Sequence, residues 1–386
     1  MNEGRSDTEK FGGAIRRCFL LEEGVAFLNH GSFGACPRDV LDAAEGWRRR
    51  LEAEPVRFIG RERPGLLRAA AERLARFVGA RGEDLAFVDN ATSGVNAVVR
   101  SLALAPGDEI VTTDHVYNAI RTTLAYVAGR AGARVVEQPV PFPVADQDAI
   151  VHAVEAALTP RTRLLVIDHV TSPTALVFPV ERIVALARTR GVAVLVDGAH
   201  APGMIELNLE RLGADYYVGN CHKWLFAPKG CGFLWARRDR QGNLHPTTIS
   251  HGFEHGFLAE FDWTGTRDPA PALSVTAALD FIDGLGFEAL RAHNHELMWL
   301  GARLLGEAWG TSIGAPQAAM GFMATVGLPT AAAPTRDVAV ALNKRLFDEH
   351  RVEVPIIPFA GRLWARISAQ VYNTLDDYRR LAAVKF

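Results

Sequence analysis

Cysteine, lysine and long apolar runs are all scarce in this sequence of 386 residues. The four cysteines (Cys18, Cys36, Cys221 and Cys231) form no CxxC pair, which argues against a disulfide framework and against a structural zinc site, so no metal is expected. No apolar run approaches the roughly 18 residues that a membrane span needs. The opening MNEGRSDTEKFGGAIRRCFLLEEG mixes acids with bases and lacks the apolar core of a signal peptide, so the expected setting is reduced and cytoplasmic. An excess of one charge is missing too: the formal net charge is −2 and no basic stripe occurs, which argues against a nucleic-acid partner. The scarcity of lysine is the most useful of these absences. Only five (Lys10, Lys223, Lys229, Lys344 and Lys385) stand among 42 basic residues, so chemistry that needs a primary amine has few candidates.

What is present is the composition of an ordinary globular protein, 48% hydrophobic and 22% charged, long enough to bury a large core. Pro64 followed by GLLRAAAERLARFVGA predicts a helix with proline in its first turn and glycine near its end. Short apolar runs then alternate with helical periodicity: LAFV (85–88), DEIVTT (108–113), ARVVEQ (133–138), RLLVID (163–168), VAVLVD (192–197) and ADYYVGN (214–220) read as strands. This alternation implies βαβ units, a mainly parallel sheet covered by helices on both faces, and therefore an α/β fold. After about residue 265 the pattern becomes helical and then α+β. The expected division is an N-terminal arm (1–24), a large domain (25–265) and a smaller C-terminal domain (266–386).

Two familiar letter patterns carry little weight. Gly284-Leu-Gly286-Phe-Glu-Ala289 matches a dinucleotide fingerprint but follows a helix-like segment where that fingerprint needs a strand. His251-Gly-Phe-Glu254-His255 matches a zinc-protease pattern, but the neighbouring glycines break the helix that would put both histidines on one face.

A stronger constellation lies at the strand ends, where ligands of open α/β sheets bind. VAVLVD ends in Asp197, and ADYYVGN leads into Cys221-His222-Lys223-Trp224. A Schiff-base lysine must lose its proton near neutral pH, which requires a desolvated or positively influenced site, and Lys223 lies between apolar runs. A buried carboxylate such as Asp197 keeps a pyridine nitrogen protonated. Asn90-Ala91-Thr92-Ser93-Gly94 opens a helix after LAFV, where free N–H groups and the helix dipole favour a phosphate. Each piece alone is commonplace. Together, in this order and at strand ends, they point to pyridoxal 5'-phosphate (PLP).

These residues also sit in a series of motifs: FLNHGSFG (27–34), EPVRF (54–58), TDHVYNA (113–119), DGAHAPG (197–203), CHKW (221–224), GTRD (265–268) and RISAQVYNT (366–374). The series resembles the class V group of fold-type I PLP enzymes, and within it the isopenicillin N epimerase-like branch. The resemblance implies that Lys223 carries the cofactor and moves the Cα proton, that Asp197 holds the pyridine nitrogen, and that His200 lies near the phenolic oxygen. It implies that His115, or in second place Tyr117, stacks on the ring. Thr92 with the backbone around Ala91, Asn220 and His222 would bind the phosphate, and Thr266 would reach the phosphate of a partner subunit in a homodimer. Arg366 would clamp the carboxylate of an amino-acid substrate. Ser172 stands where many relatives carry asparagine near the cofactor, and Asn29, His30, Phe58 and Arg61 would shape the substrate pocket.

Cysteine desulfurases of this class use a cysteine in the C-terminal domain, and no cysteine follows Cys231. The resemblance thus implies epimerisation of an amino acid or β-elimination from a cysteine conjugate, such as a sulfoxide. Transamination is the alternative, and a binding protein that keeps the fold without the chemistry is a contrasting class. Motif similarity favours the epimerase, whereas the chemistry leans slightly to the lyase: epimerisation needs a proton donor on each face of the substrate and no clear second acid is evident, while elimination needs only Lys223 and a leaving group.

Overall fold

The computed structural model describes residues 11–386, so Lys10 and the first ten residues of the expected arm lie outside the described residues. An α/β architecture is observed, built around a seven-stranded sheet. Its strands are β2 (Leu85–Val88), β3 (Glu109–Thr113), β4 (Arg134–Gln138), β5 (Thr162–Asp168), β6 (Ala193–Gly198), β7 (Tyr216–Asn220) and β8 (Gly232–Ala236), following the two-residue β1 (Ala26–Phe27). The order across the sheet is β2-β8-β7-β6-β5-β3-β4. The contiguous run β4 to β7 is parallel, whereas β8 pairs antiparallel with both β7 and β2. Six strands match the sequence expectation to within about two residues. The seventh, β8, was not expected from the sequence; its GFLWA run follows a tight turn at Gly230, so it returns beside β7 in the opposite direction.

Every residue of β2, β3, β7 and β8 is buried, as expected for strands covered on both faces. The edge strand β4 is partly exposed and carries Arg134 and Glu137 outward, which blunts further strand pairing. The helix Ala91–Arg100 starts at the end of β2, capped by the Asn90 side chain, which accepts from the Ser93 N–H at 2.9 Å. A Cβ at Gly94 would lie 2.7 Å from Val218, so glycine lets this helix rest directly on β7.

The C-terminal region holds a second, antiparallel sheet, β11-β12-β9, made of β9 (Met323–Gly327), β11 (Ile356–Phe359) and β12 (Arg362–Ser368). The long helix Phe287–Trp309 packs beside it. The short β1 pairs with β10 (Val352–Glu353), and next to it the Ser368 N–H donates to Leu28 O while the His30 N–H donates to Ser368 Oγ. These bonds lay the opening segment along β12. Residues near 30 and near 366 thereby become neighbours, which sets half of the site described next.

Candidate active site

The carboxyl ends of β5, β6 and β7 lie side by side, and each delivers a polar residue to one place. Asp168 of β5 stands directly opposite Asp197 of β6, and β7 ends at Asn220, from which the chain turns into Cys221-His222-Lys223. A cavity of about 530 Å³ opens over these ends, with Asp168, Asp197, His200 and Lys223 on its inner side and Thr92 and Tyr117 among its walls.

Lys223 is half-buried on the cavity lining, and burial together with the positive charge of Arg366 pulls its amine down to about 7, against the opposing pull of Asp197 and Asp168. Its Nζ lies 3.1 Å from His200 Nε2, and the other His200 nitrogen, Nδ1, accepts from the indole N–H of Trp224 at 3.3 Å. Burial pushes His200 well below the usual histidine range, helped by the charges of Lys223 and Arg366. Asp197 Oδ1 accepts from the Ala199 N–H at 3.0 Å, while Oδ2 of the buried Asp168 has no hydrogen-bond partner. Burial raises both carboxyls, and Asp168, which also faces Asp197, lies well above the ordinary carboxylate range. Two buried acids on adjacent strands avoid a double charge by retaining a proton, here on Asp168.

The phosphate side is built from the start of the helix Ala91–Arg100. Asn220 Oδ1 accepts from the Ala91 N–H at 2.8 Å, so that N–H is already engaged in tying β7 to the helix. Thr92, Ser93, Asn220 and His222 line the cavity beside it. His222 Nδ1 donates to Cys231 O at 2.9 Å, leaving Nε2 as the nitrogen not engaged by the backbone, and burial lowers this histidine to about 4.

Arg366 is buried just behind the wall. Among the described residues its hydrogen bonds all go to neutral oxygens: Ser172 O at 2.5 Å, Ser172 Oγ at 3.2 Å, Ser32 Oγ at 3.1 Å and Asn29 Oδ1 at 3.5 Å. Ser32 and Ser172 themselves line the cavity. A desolvated guanidinium without a carboxylate partner is costly, and burial lowers it to about 10.

Other residues singled out in the sequence fall elsewhere. His115 turns beneath the end of β3, bonds Thr174 Oγ1 at 2.6 Å and packs among Phe142, Phe178 and Phe359, away from the cavity. Tyr117, two residues on, caps the start of the helix Asn118–Ala131, is 45% exposed and lines the cavity, whereas His115 does not. His30 is wholly buried and braces the lysine loop instead: its ring bonds Tyr372 Oη at 2.8 Å and Lys223 O at 3.0 Å. Asn29 stands behind the wall, donating to Glu353 at 2.9 Å. Phe58 is buried against Trp47 and Arg61 is exposed, both outside the cavity, as is the exposed Thr266. The residue that sequence reasoning missed is Asp168. The signal was present, since RLLVID, like VAVLVD, is an apolar strand that ends in aspartate.

A mainly parallel sheet with a desolvated lysine, an acid pair and a helix N-terminus at its carboxyl edge defines a PLP enzyme of the α/β type. The model of the aminotransferase class-V family matches residues 34–381, and the chain belongs to that family. It is 39% identical to an isopenicillin N epimerase of Amycolatopsis lactamdurans, with 94% of each chain covered. It is 32% identical to an L-cysteine desulfhydrase of Arabidopsis thaliana, covering 93% of this chain and 87% of the relative. Among solved structures, a complex of the cystine C-S lyase C-DES with cysteine persulfide superposes with a TM-score of 0.81 at 23% identity, over 94% of this chain and 97% of that one. The family's cofactor is PLP, and the donor set fits it: an amine poised near neutrality, a carboxylate pair for a ring nitrogen, and hydroxyl and N–H groups at a helix start for a phosphate.

Proposed function

We propose that the chain is a PLP-dependent carbon–sulfur lyase that eliminates a thiol or sulfenate group from the β-carbon of a cysteine-type amino acid. When bound, PLP supplies the electron sink that acidifies the Cα–H bond. Lys223 holds the cofactor and, once its amine is free, accepts the Cα proton. Asp197 pairs with the ring nitrogen, and Asp168 keeps its own proton so that the pair carries a single charge. His200 would face the phenolic oxygen, Tyr117 would cover the ring, and Thr92, Asn220 and His222 would hold the phosphate. Arg366, whose hydrogen bonds meet only neutral oxygens, takes the substrate carboxylate, with Ser32, Asn29 and Ser172 orienting the guanidinium.

The observation that carries this reading is the amine of Lys223 on the cavity lining, 3.1 Å from His200 Nε2 and lowered by burial to about 7. Elimination needs no further base: the Cα–H electrons form the Cα–Cβ double bond, the C–S pair leaves with sulfur, and hydrolysis of the resulting enamine gives pyruvate and ammonia. No cysteine lines the cavity, and Cys221 and Cys231 are packed in the core, so sulfur leaves with its own carbon group or as sulfide instead of passing to a protein thiol. A second reading, epimerisation, is favoured by Tyr117 on the cavity lining, since its hydroxyl is a second proton donor besides Lys223.

The test is to incubate the PLP-loaded protein with L-cysteine and with cysteine S-conjugate sulfoxides in D2O. Pyruvate formation supports the lyase. Deuterium at Cα of an intact amino acid, without pyruvate, rejects it in favour of the epimerase. Failure of the protein to acquire a visible absorption band with PLP would overturn both. The exposed Thr266, away from its own cavity, supports a homodimer in which it serves the partner's phosphate site, and four free thiols support a reducing, cytoplasmic setting. Among the described residues no helix is long and apolar enough to cross a membrane.

A further inference from the structure

Trp224 directly follows the candidate lysine and is completely buried, with its indole held between the His30 ring at 4.8 Å and Phe322 at 5.5 Å. An indole N–H can only donate, so the His200 Nδ1 it meets at 3.3 Å must present a lone pair. His200 is neutral, since burial holds it far below the usual range, and a neutral imidazole with a bare Nδ1 carries its hydrogen on Nε2. That Nε2–H faces Lys223 Nζ at 3.1 Å. An ammonium group has three donors and no acceptor, so two donors would collide there; only an uncharged amine offers the lone pair this contact requires.

We infer that Trp224 is a positioning residue: by holding His200 in its Nε2–H form, it keeps the free amine of Lys223 unprotonated and able to take a proton at neutral pH. The inference rests on the reading of Lys223 as the amine base. The charged and titratable groups around the pair are Arg366, which works in the same direction, Asp197 and Asp168, which oppose it at Lys223, and His30, which adds to the pressure on His200. Removing the indole N–H leaves all of these in place. It frees His200 to adopt the other tautomer, whose bare Nε2 would accept from an ammonium and stabilise it.

The experiment follows the full-length protein without PLP by NMR, using ¹⁵N-histidine and ¹³Cε-lysine labels. With only five lysines, Lys223 is assigned by its loss in Lys223→Ala. The unsubstituted protein is expected to show a bare Nδ1 and a protonated Nε2 at His200; the reverse pattern would overturn the inference without any substitution being made at Trp224. In Trp224→Phe, which keeps the ring and removes the donor, the His200 tautomers should mix and the Lys223 midpoint should rise by about one pH unit, a tenfold shift in its protonation equilibrium. A Lys223 midpoint unchanged in a folded Trp224→Phe protein would also overturn it. PLP binding is read separately, from the visible band: a parent protein that takes up no PLP defeats the reading of the site, whereas a parent that takes it up while Trp224→Phe leaves the midpoint unmoved defeats only the role of Trp224.

Discussion

The two halves of the cavity are compensated in opposite ways. On the sheet side, Asp168, Asp197, His200 and Lys223 come from three adjacent strand ends and answer one another: the retained proton on Asp168 relieves Asp197, and the uncharged His200 faces a lysine lowered to about 7. On the other side, Arg366 of β12 keeps its charge while buried among hydroxyl, amide and carbonyl oxygens from residues 29, 32 and 172. The sheet side is therefore electrostatically closed before a substrate arrives, whereas the arginine side lacks an anion. A group poised for proton transfer must have its charge settled in advance; a group that selects a ligand is more useful with its charge unmet.

Substitutions on each side should separate these roles. The largest effect is expected for Lys223→Ala, which should lower turnover by on the order of 10³-fold or more while leaving the apo protein folded; circular dichroism and a pyruvate assay check both parts. On the arginine side, Arg366→Ala should raise KM for amino-acid substrates on the order of 10²-fold with a smaller change in kcat, because charge-assisted bonds to a carboxylate are lost. Arg366→Lys should fail to restore it, since an ammonium cannot reproduce the planar fork. An unchanged KM would mean that the carboxylate binds elsewhere. A smaller effect, about tenfold weaker PLP binding by absorbance titration, is expected for Tyr117→Ala through loss of ring contact. His115→Ala, by contrast, should lower the melting temperature with PLP affinity nearly unchanged; a larger loss of affinity in His115→Ala than in Tyr117→Ala would reverse the assignment of the stacking residue.

The smallest expected effect concerns the acid pair. The native Asp168 carboxyl holds its proton above the ordinary value of about 3.9, so above that pH the native state binds more protons than the unfolded chain. The stability it contributes is then fully present below about pH 4 and lost as pH rises through the native value. Asparagine does not titrate. The apo Asp168→Asn protein should melt close to the parent at pH 4 and about 2 to 4 °C above it at pH 7, and a gap that does not widen with pH would show that Asp168 is ionised in the native state.

Much of the sheet side was legible in the sequence because its residues sit at the ends of apolar, β-branched runs, and a strand's position in a parallel sheet determines which end faces a ligand. Asp197 and Lys223 could be read that way, and Asp168 could have been. His115 could not be separated from Tyr117 by letters alone, because two residues of turn beyond β3 decide which ring enters the cavity, and a cluster of Phe142, Phe178 and Phe359 contributed by distant segments draws His115 inward. The strand β8 escaped notice because its reversal depends on the turn at Gly230 and on the open edge of β7, not on any feature of its own five residues.

By itself the sequence determined the α/β alternation, the acid and lysine at strand ends, the near-absence of competing amines and the family to which the chain belongs, since all of these follow from local periodicity and residue type. Only the tertiary structure decided what those groups meet. The pairing of Asp168 with Asp197, the approach of the opening segment to Arg366, and the line from Trp224 through His200 to Lys223 depend on contacts between residues far apart in the chain. Burial then sets their charges, and burial is a property of the packed molecule that no stretch of residues carries alone.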